Sequence, residues 1–507
     1  MRNSRSKNAK LNMISGLMQE LTVVICGLIL PRIILSHFGS TYNGIVNSVT
    51  QFLGFSVVLR SGLGAVTNAA LYKPLADGDM QKVSGIMVAT DQFMKKVAWL
   101  LIAFILGFAF LYPLAVLDEF NYWFSFWLVV IIGISTFVEN MFSIKYKILL
   151  QADQKYYIQT IFAIIAQILS TIFSIVLIWT ECNIHMVKLG AAIGLMSTPI
   201  LLKIYVNKNY NIDWTAPADN IALNARWDAF AQQLATIVNN NVPTVIMTLM
   251  LPLKEISVYS VYYMAANNMT KLLTSCLNGL KSTFGNMIAK GEAKHLRKRF
   301  CDVEYVVFAA STVIFTVTAI MLTPFILVYT KGITDVDYNR FALGIAMVTV
   351  CMMNVLRIPY QLVVEAAGHF RQTRNGAFVE VILNVLVSAI FAKLFGIIGV
   401  IMGGFIASIV RTTQFAWYAN KKILSLSTTR TLKNYLVHFS MGALLIIFVP
   451  KIINLDCDNY LEWIRIAVTV FILVSIVVFI LSALFSPAQF KSIHNYLFVR
   501  RKKHWNK

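Results

Sequence analysis

Four basic residues stand inside segments that are otherwise apolar: Arg60, Lys271, Arg357 and Arg411. A cation near the centre of a bilayer costs at least about 2.5–3.5 kcal/mol, so it faces water, a partner or a ligand. The planar fork of Arg and the compact charge of Lys both bind phosphate oxygens. These four are therefore candidate contacts for a diphosphate group. Structural pairing is the competing reading, and for Arg357 the partner would be Glu365 or Glu380. The acids at comparable depth, Glu20, Glu139, Glu365 and Glu380, could hold a proton or Na⁺, or could pair with neighbouring loop cations. Asn239, Asn240 and Asn241 beside Pro243, with Asn267 and Asn268, would suit either a wet cavity or hydrogen bonds between helices.

The elements that must position these side chains are set by composition. Hydrophobic residues make up 58% of the 507 and charged residues 13%, with a mean hydropathy of +0.68. A soluble domain carries about twice that share of charge, so there is no room for a large one. The apolar runs predict about fourteen spans, at 14–36, 42–68, 93–116, 122–146, 157–180, 184–206, 229–252, 256–284, 303–330, 340–365, 376–394, 396–419, 434–454 and 463–485. Helices are the expected form, because each segment must satisfy its own backbone polar groups in lipid.

Threaded from a cytoplasmic N-terminus bearing Arg2, Arg5, Lys7 and Lys10, most of the 44 basic residues fall on one side. The opposite loops are short and lean acidic, as at Asp118/Glu119, Asp335/Asp337 and Asp456/Asp458/Glu462. That bias predicts both termini in the cytoplasm. Lys188 reads here as an outer-edge residue. The net charge of +21 is spread over many loops, which topology and anionic headgroups explain without nucleic acid. The first apolar run continues to full spanning length, so no cleaved leader is expected.

A repeat runs through the chain. Ala76-Asp77-Gly78-Asp79 matches Ala289-Lys290-Gly291-Glu292, and the stretch Leu150 to Tyr156 resembles Val364 to Phe370, at offsets of 213 and 214 residues. Two anchors at nearly one offset predict duplicated six-span halves in parallel orientation, an architecture of secondary transporters. The expected organisation is an N-terminal lobe at 1–206, a cytoplasmic linker at 207–228, a C-terminal lobe at 229–419, accessory spans at 434–485 and a basic tail at 486–507. In this frame Arg60 projects onto Leu273, two residues from Lys271, placing one cation at near-equivalent positions of each half.

Fourteen spans in a six-plus-six-plus-two plan, cations in spans 2 and 8, and two short stretches, Phe38-Gly39…Tyr42-Asn43-Gly44-Ile45 and Leu150-Gln151-Ala152, carry a family likeness. The chain resembles the Wzx-type O-antigen and capsule repeat-unit flippases of the multidrug/oligosaccharidyl-lipid/polysaccharide (MATE-like) superfamily. The resemblance implies an all-α polytopic membrane protein with two six-helix lobes in pseudo-twofold arrangement. It implies a transporter that moves an undecaprenyl-diphosphate-linked oligosaccharide to the outer leaflet by alternating access, without ATP or a cofactor. Coupling to Na⁺, H⁺ or the membrane potential, a bacterial cytoplasmic membrane and polysaccharide polymerase machinery as a partner come with it. Lipid II flippases of that superfamily line their cavity with arginines in spans 1, 2 and 8, which Arg60 and Lys271 match in kind and Arg32 matches less well.

Two rival classes remain. A drug or metabolite antiporter of the same fold would be expected to carry acids at depth and usually twelve spans. A membrane polymerase or ligase would need a large outer loop, and no metal-ligand cluster, phosphate-cradling loop or Ser/His/Asp arrangement is present in the sequence.

Overall fold

The computed structural model describes residues 2–60, 63–219, 227–277, 280–485, 487 and 489–490. Among them every regular element is helical. The first part of the chain runs α1 (Arg2–Phe38), α2 (Ser40–Gly54), a 3₁₀ turn (Phe55–Arg60), α3 (Leu63–Asp77), α4 (Met80–Leu111) and α5 (Tyr122–Val138). A π turn (Glu139–Ser143) then leads into α6 (Ile144–Ala152), α7 (Tyr156–Trp179), α8 (Ile184–Leu195), α9 (Ser197–Asn209) and α10 (Trp227–Met250). The rest comprises α11 (Leu253–Leu277), α12 (Leu280–Ala289), α13 (Ala293–Tyr329), α14 (Phe341–Ala366), α15 (Phe370–Tyr418), α16 (Thr428–Ile452) and α17 (Tyr460–Phe485).

Among the described residues ten helical stretches are long and apolar enough to cross a membrane. Large apolar side chains such as Leu17, Trp99, Ile204, Leu394, Ile447 and Leu484 are more than half exposed on them. In water that surface would drive aggregation, whereas in lipid it costs nothing. The chain is a multi-pass membrane protein. The described residues of the predicted segments are almost all helical, but 42–68, 229–252 and 256–284 are not among the ten, and 42–68 is broken by the 3₁₀ turn and 122–146 by the π turn. The segments 376–394 and 396–419 form the two arms of α15, which folds back at Gly396, where φ is 58°.

Two compact units divide the chain, Met1–Ser257 and Val258–Lys507. Within the first, residues 210–219 lie along α4, with the Asp213 amide donating to Ser84 Oγ at 3.0 Å and the Asp219 amide to the Gly85 carbonyl at 3.1 Å. The Tyr210 hydroxyl donates to Asp153 Oδ2 at 2.5 Å. Burial and that carboxylate push the phenol well up, so it remains a donor. Residues 220–226 of the predicted linker lie outside the described residues. In the second unit the start of α13 is amphipathic, burying Leu296 and Phe300 while Lys294, Lys298 and Arg299 stay exposed.

Each anchor of the sequence repeat has the same backbone in both units. The Asp79 amide donates to the Pro74 carbonyl at 2.9 Å and that of Glu292 to Met287 at 3.0 Å, with Gly78 and Gly291 at φ of 74° and 69°. Likewise the Lys155 amide donates to Leu150 at 2.8 Å and that of His369 to Val364 at 3.1 Å, with Gln154 and Gly368 at φ of 59° and 72°. Both are helix-ending turns that need one left-handed residue. Gly supplies it without strain in three of the four, and Gln154 adopts it at some cost.

A third correspondence appears only in the folded chain. In α8 a Cβ on Gly194 would lie 2.4 Å from the Ser170 backbone of α7, and in α15 a Cβ on Gly403 would lie 2.4 Å from Ser388 N. Small residues let helix backbones approach this closely in a membrane, where packing rather than water drives association. Gly403→Ala is expected to destabilise the second unit by roughly 1–3 kcal/mol, since the backbone of the opposing arm must move. A lowered thermal midpoint on fluorescence-detected gel filtration would report it; an unchanged midpoint would show that the arms separate freely.

The family-like motif around Asn43 serves the same close packing. Asn43 Nδ2 donates to Ser257 Oγ at 2.8 Å, and a Cβ on Gly44 would come within 2.0 Å of the Leu253 carbonyl oxygen. Also within the first unit, the Leu253 amide donates to Glu119 Oε1 at 2.8 Å.

Candidate functional site

In the second unit, α14 and the two arms of α15 assemble a charged cluster. Arg357 projects from α14, Glu380 from the first arm of α15 and Arg411 from the second. Arg357 Nη1 donates to Glu380 Oε1 at 2.8 Å, and Arg411 Nε lies 3.5 Å from Glu380 Oε2. Arg411 is 3% exposed and Glu380 7%. The fold brings these two together because the reversal at Gly396 places them on facing arms.

The Arg411 guanidinium is held on all sides. Its Nη1 donates to the Thr373 carbonyl at 2.8 Å and to Gln414 Oε1 at 2.6 Å, and its face lies 4.1 Å from the centre of the Phe415 ring. Gln414 reaches it across Gly376, where a Cβ would collide with the amide at 1.6 Å. Arg357 differs: its Nε is buried without a hydrogen-bond acceptor among the described residues. Two guanidiniums and one carboxylate leave one positive charge in an apolar unit, the kind of surplus that an anion relieves.

The other predicted site residues are dispersed. Lys271 is exposed on α11 and forms no ion pair among the described residues. Arg60 ends the 3₁₀ turn, and its side chain lies outside those described. Asn239 is half-buried and Asn240 exposed on α10, while Asn267 is half-buried on α11. Asn241 is buried, with Nδ2 donating to its own helix at the Ile237 carbonyl at 2.7 Å.

Of the four acids, three have cations on them. Both Glu380 oxygens face arginine. Glu365 Oε2 accepts from Lys281 at 2.7 Å while its Oε1 takes Gln361 at 2.8 Å. Glu139 Oε1 meets Lys147 at 2.9 Å. Glu20 is exposed on α1.

Two features escape a linear reading. Glu304, 1% exposed on α13, accepts from Arg430 and from the Tyr360 hydroxyl, tying α16 to α13 and α14. In sequence it follows Arg297, Lys298, Arg299 and Asp302, and so looks like one more charge on a solvated face. Lys188, read from the sequence as an outer-edge residue, stands on the second turn of α8 and lines a cavity of about 450 Å³ inside the first unit, together with Glu139 and Lys147.

No family model and no curated protein sequence matches the chain. Solved structures do match in fold. A multidrug resistance MATE family transporter of the MOP superfamily, in its inward-facing conformation, aligns with a TM-score of 0.61 at 15% identity, over 79% of this chain and 95% of its own. The lipid II flippase MurJ, in an inward closed conformation, aligns with a TM-score of 0.67 at 15% identity, over 94% of this chain and 98% of its own. A mutant of the Vibrio cholerae MATE transporter VcmN gives 0.57 at 15%, over 84% and 99%. The chain thus has the fold of MATE transporters and of MurJ.

Proposed function

We propose that this protein is a flippase for a polyprenyl-diphosphate-linked oligosaccharide, working by alternating access in a bacterial cytoplasmic membrane with both termini cytoplasmic. One observation carries the choice of substrate class. The two MATE transporters described above account for nearly all of their own length but only 79% and 84% of this chain, whereas the lipid II flippase accounts for 94%. This chain is therefore similar in extent to a carrier of a lipid-linked diphosphate. The fourteen-span plan belongs to this reading, with α16 and α17 as the surplus pair.

Lys271 and Arg60 are the proposed diphosphate contacts, with Arg357 and Arg411 as a second, pre-bound cation group. Lys271 has no carboxylate to neutralise it among the described residues, and Arg357 keeps an unused donor. Coupling to Na⁺, H⁺ or the membrane potential is part of the proposal. Glu20 is the acid candidate without a cation on it among the described residues, whereas Glu139, Glu365 and Glu380 are occupied. Membrane lipids surround the carrier, and polymerase machinery is the expected consumer of its product.

The test is transfer in proteoliposomes of a short-chain polyprenyl-diphosphate oligosaccharide carrying a fluorophore that an impermeant reductant can quench. Protein-dependent protection of the outer probe is the expected result, alongside restored surface polysaccharide in a flippase-deletion strain. Raised resistance to cationic drugs with no transfer would instead favour the MATE-type antiporter, a reading the MATE likeness itself supports.

A further inference from the structure

The cavity in the first unit has about 450 Å³ of space and a largely hydroxyl and amide polar wall, including Ser135, Thr136, Gln167, Ser170 and Thr198. Among the described residues three charged side chains reach it. Glu139 and Lys147 neutralise each other at 2.9 Å. Lys188, on the second turn of α8, forms no ion pair among the described residues. An ammonium group enclosed among membrane helices is costly without a counter-charge, and this wall offers no spare carboxylate.

Two further observations point to a ligand. Ser143 lines the same cavity, is fully buried, and its Oγ has no hydrogen-bond partner among the described residues. The helices also depart from regularity at the cavity wall, at the π turn Glu139–Ser143 and at the junction of α8 and α9 beside Met196. Irregular backbone at membrane depth is tolerated where it is buried in protein or lines a wet cavity, and π turns concentrate at functional sites.

We propose that a single monovalent anion of the chloride class binds in this cavity against Lys188, with the Ser143 hydroxyl as a donor. One unmatched positive charge calls for one negative charge. Hydroxyl and amide donors supply the remaining coordination that the ion loses with its water. A cation would be repelled by Lys188. The site lies within the first unit and is independent of how the lipid-linked substrate is held.

The test uses the full chain purified in detergent, with chloride as the probe. Radiolabelled chloride is expected to bind saturably to wild type, with bromide competing, and chloride is expected to raise the thermal midpoint over gluconate at equal ionic strength. Lys188→Gln should weaken chloride binding roughly tenfold or more, as expected for loss of a charged donor, and should abolish the chloride-dependent midpoint. Lys188→Arg should retain both. Ser143→Ala, a smaller change, should weaken binding several-fold and decides the matter if Lys188→Gln does not fold. Absence of saturable binding to wild type, or wild-type affinity in folded Lys188→Gln or Ser143→Ala, would overturn the proposal.

Discussion

Alanine at Lys271 is expected to slow substrate transfer roughly 10–100-fold, the range for removing a hydrogen-bonding charge from an anionic group. Arginine at the same position should retain most of the rate, because the charge is kept and a fork replaces a point. The argument rests on where the lysine stands. It is exposed on α11 between Thr270 and Leu272, in a stretch that also carries Asn267 and Asn268, and the ammonium has no ion-pair partner among the described residues. If Lys271 serves the diphosphate in the ground state, the alanine variant should show a raised half-saturation concentration. If it serves the moving state, the maximal rate should fall instead. The thermal midpoint should hold in either case, since an exposed side chain with few contacts leaves no cavity. A well-folded Lys271→Ala protein that transfers substrate at the wild-type rate would remove this residue from the site. Arg60→Ala provides the companion measurement in the first unit.

What a linear reading recovers here is what the bilayer imposes. Helical form follows from the need to satisfy backbone groups in lipid, and the described residues of the predicted segments are almost all helical. Glu380 is one of two partners open to Arg357 from sequence, and the fold decides between them because Glu365 is taken by Lys281. The two matched pairs of turns are legible because such turns need left-handed residues at fixed places, and Gly78, Gly291 and Gly368 mark them. Features set by packing are not legible. The π turn at Glu139–Ser143 is one such feature, since the predicted segment 122–146 runs through it as one helix, whereas the reversal at Gly396 coincides with the predicted break between 376–394 and 396–419. The cavity at Lys188 is not legible because a lysine near a short acidic loop looks like a loop residue; only the packing of α8 reveals it. Glu304 is hidden by its charged neighbours, though its helical spacing from buried Phe300 and Leu296 is the available signal.

Glu380→Gln is expected to destabilise the second unit by about 3–5 kcal/mol, because removing one member of a buried ionic group strands the others. Here it strands two: Arg411, almost wholly buried, and Arg357, whose Nε already lacks an acceptor among the described residues. The gel-filtration midpoint should fall sharply, and an unchanged midpoint would show that water reaches the cluster and screens it. The single variant cannot say why the charges are there, since loss of fold would stop transfer whatever their role. Replacing the whole group can. Buried ionic triads exchanged for apolar residues of similar size are often neutral or even stabilising, so Arg357→Met with Glu380→Leu and Arg411→Met should recover the midpoint. If that folded variant transfers substrate at the wild-type rate, the cluster only joins α14 to the two arms of α15. If it folds and does not transfer, the surplus positive charge acts on the substrate, and the Nε of Arg357 is the donor aimed at it.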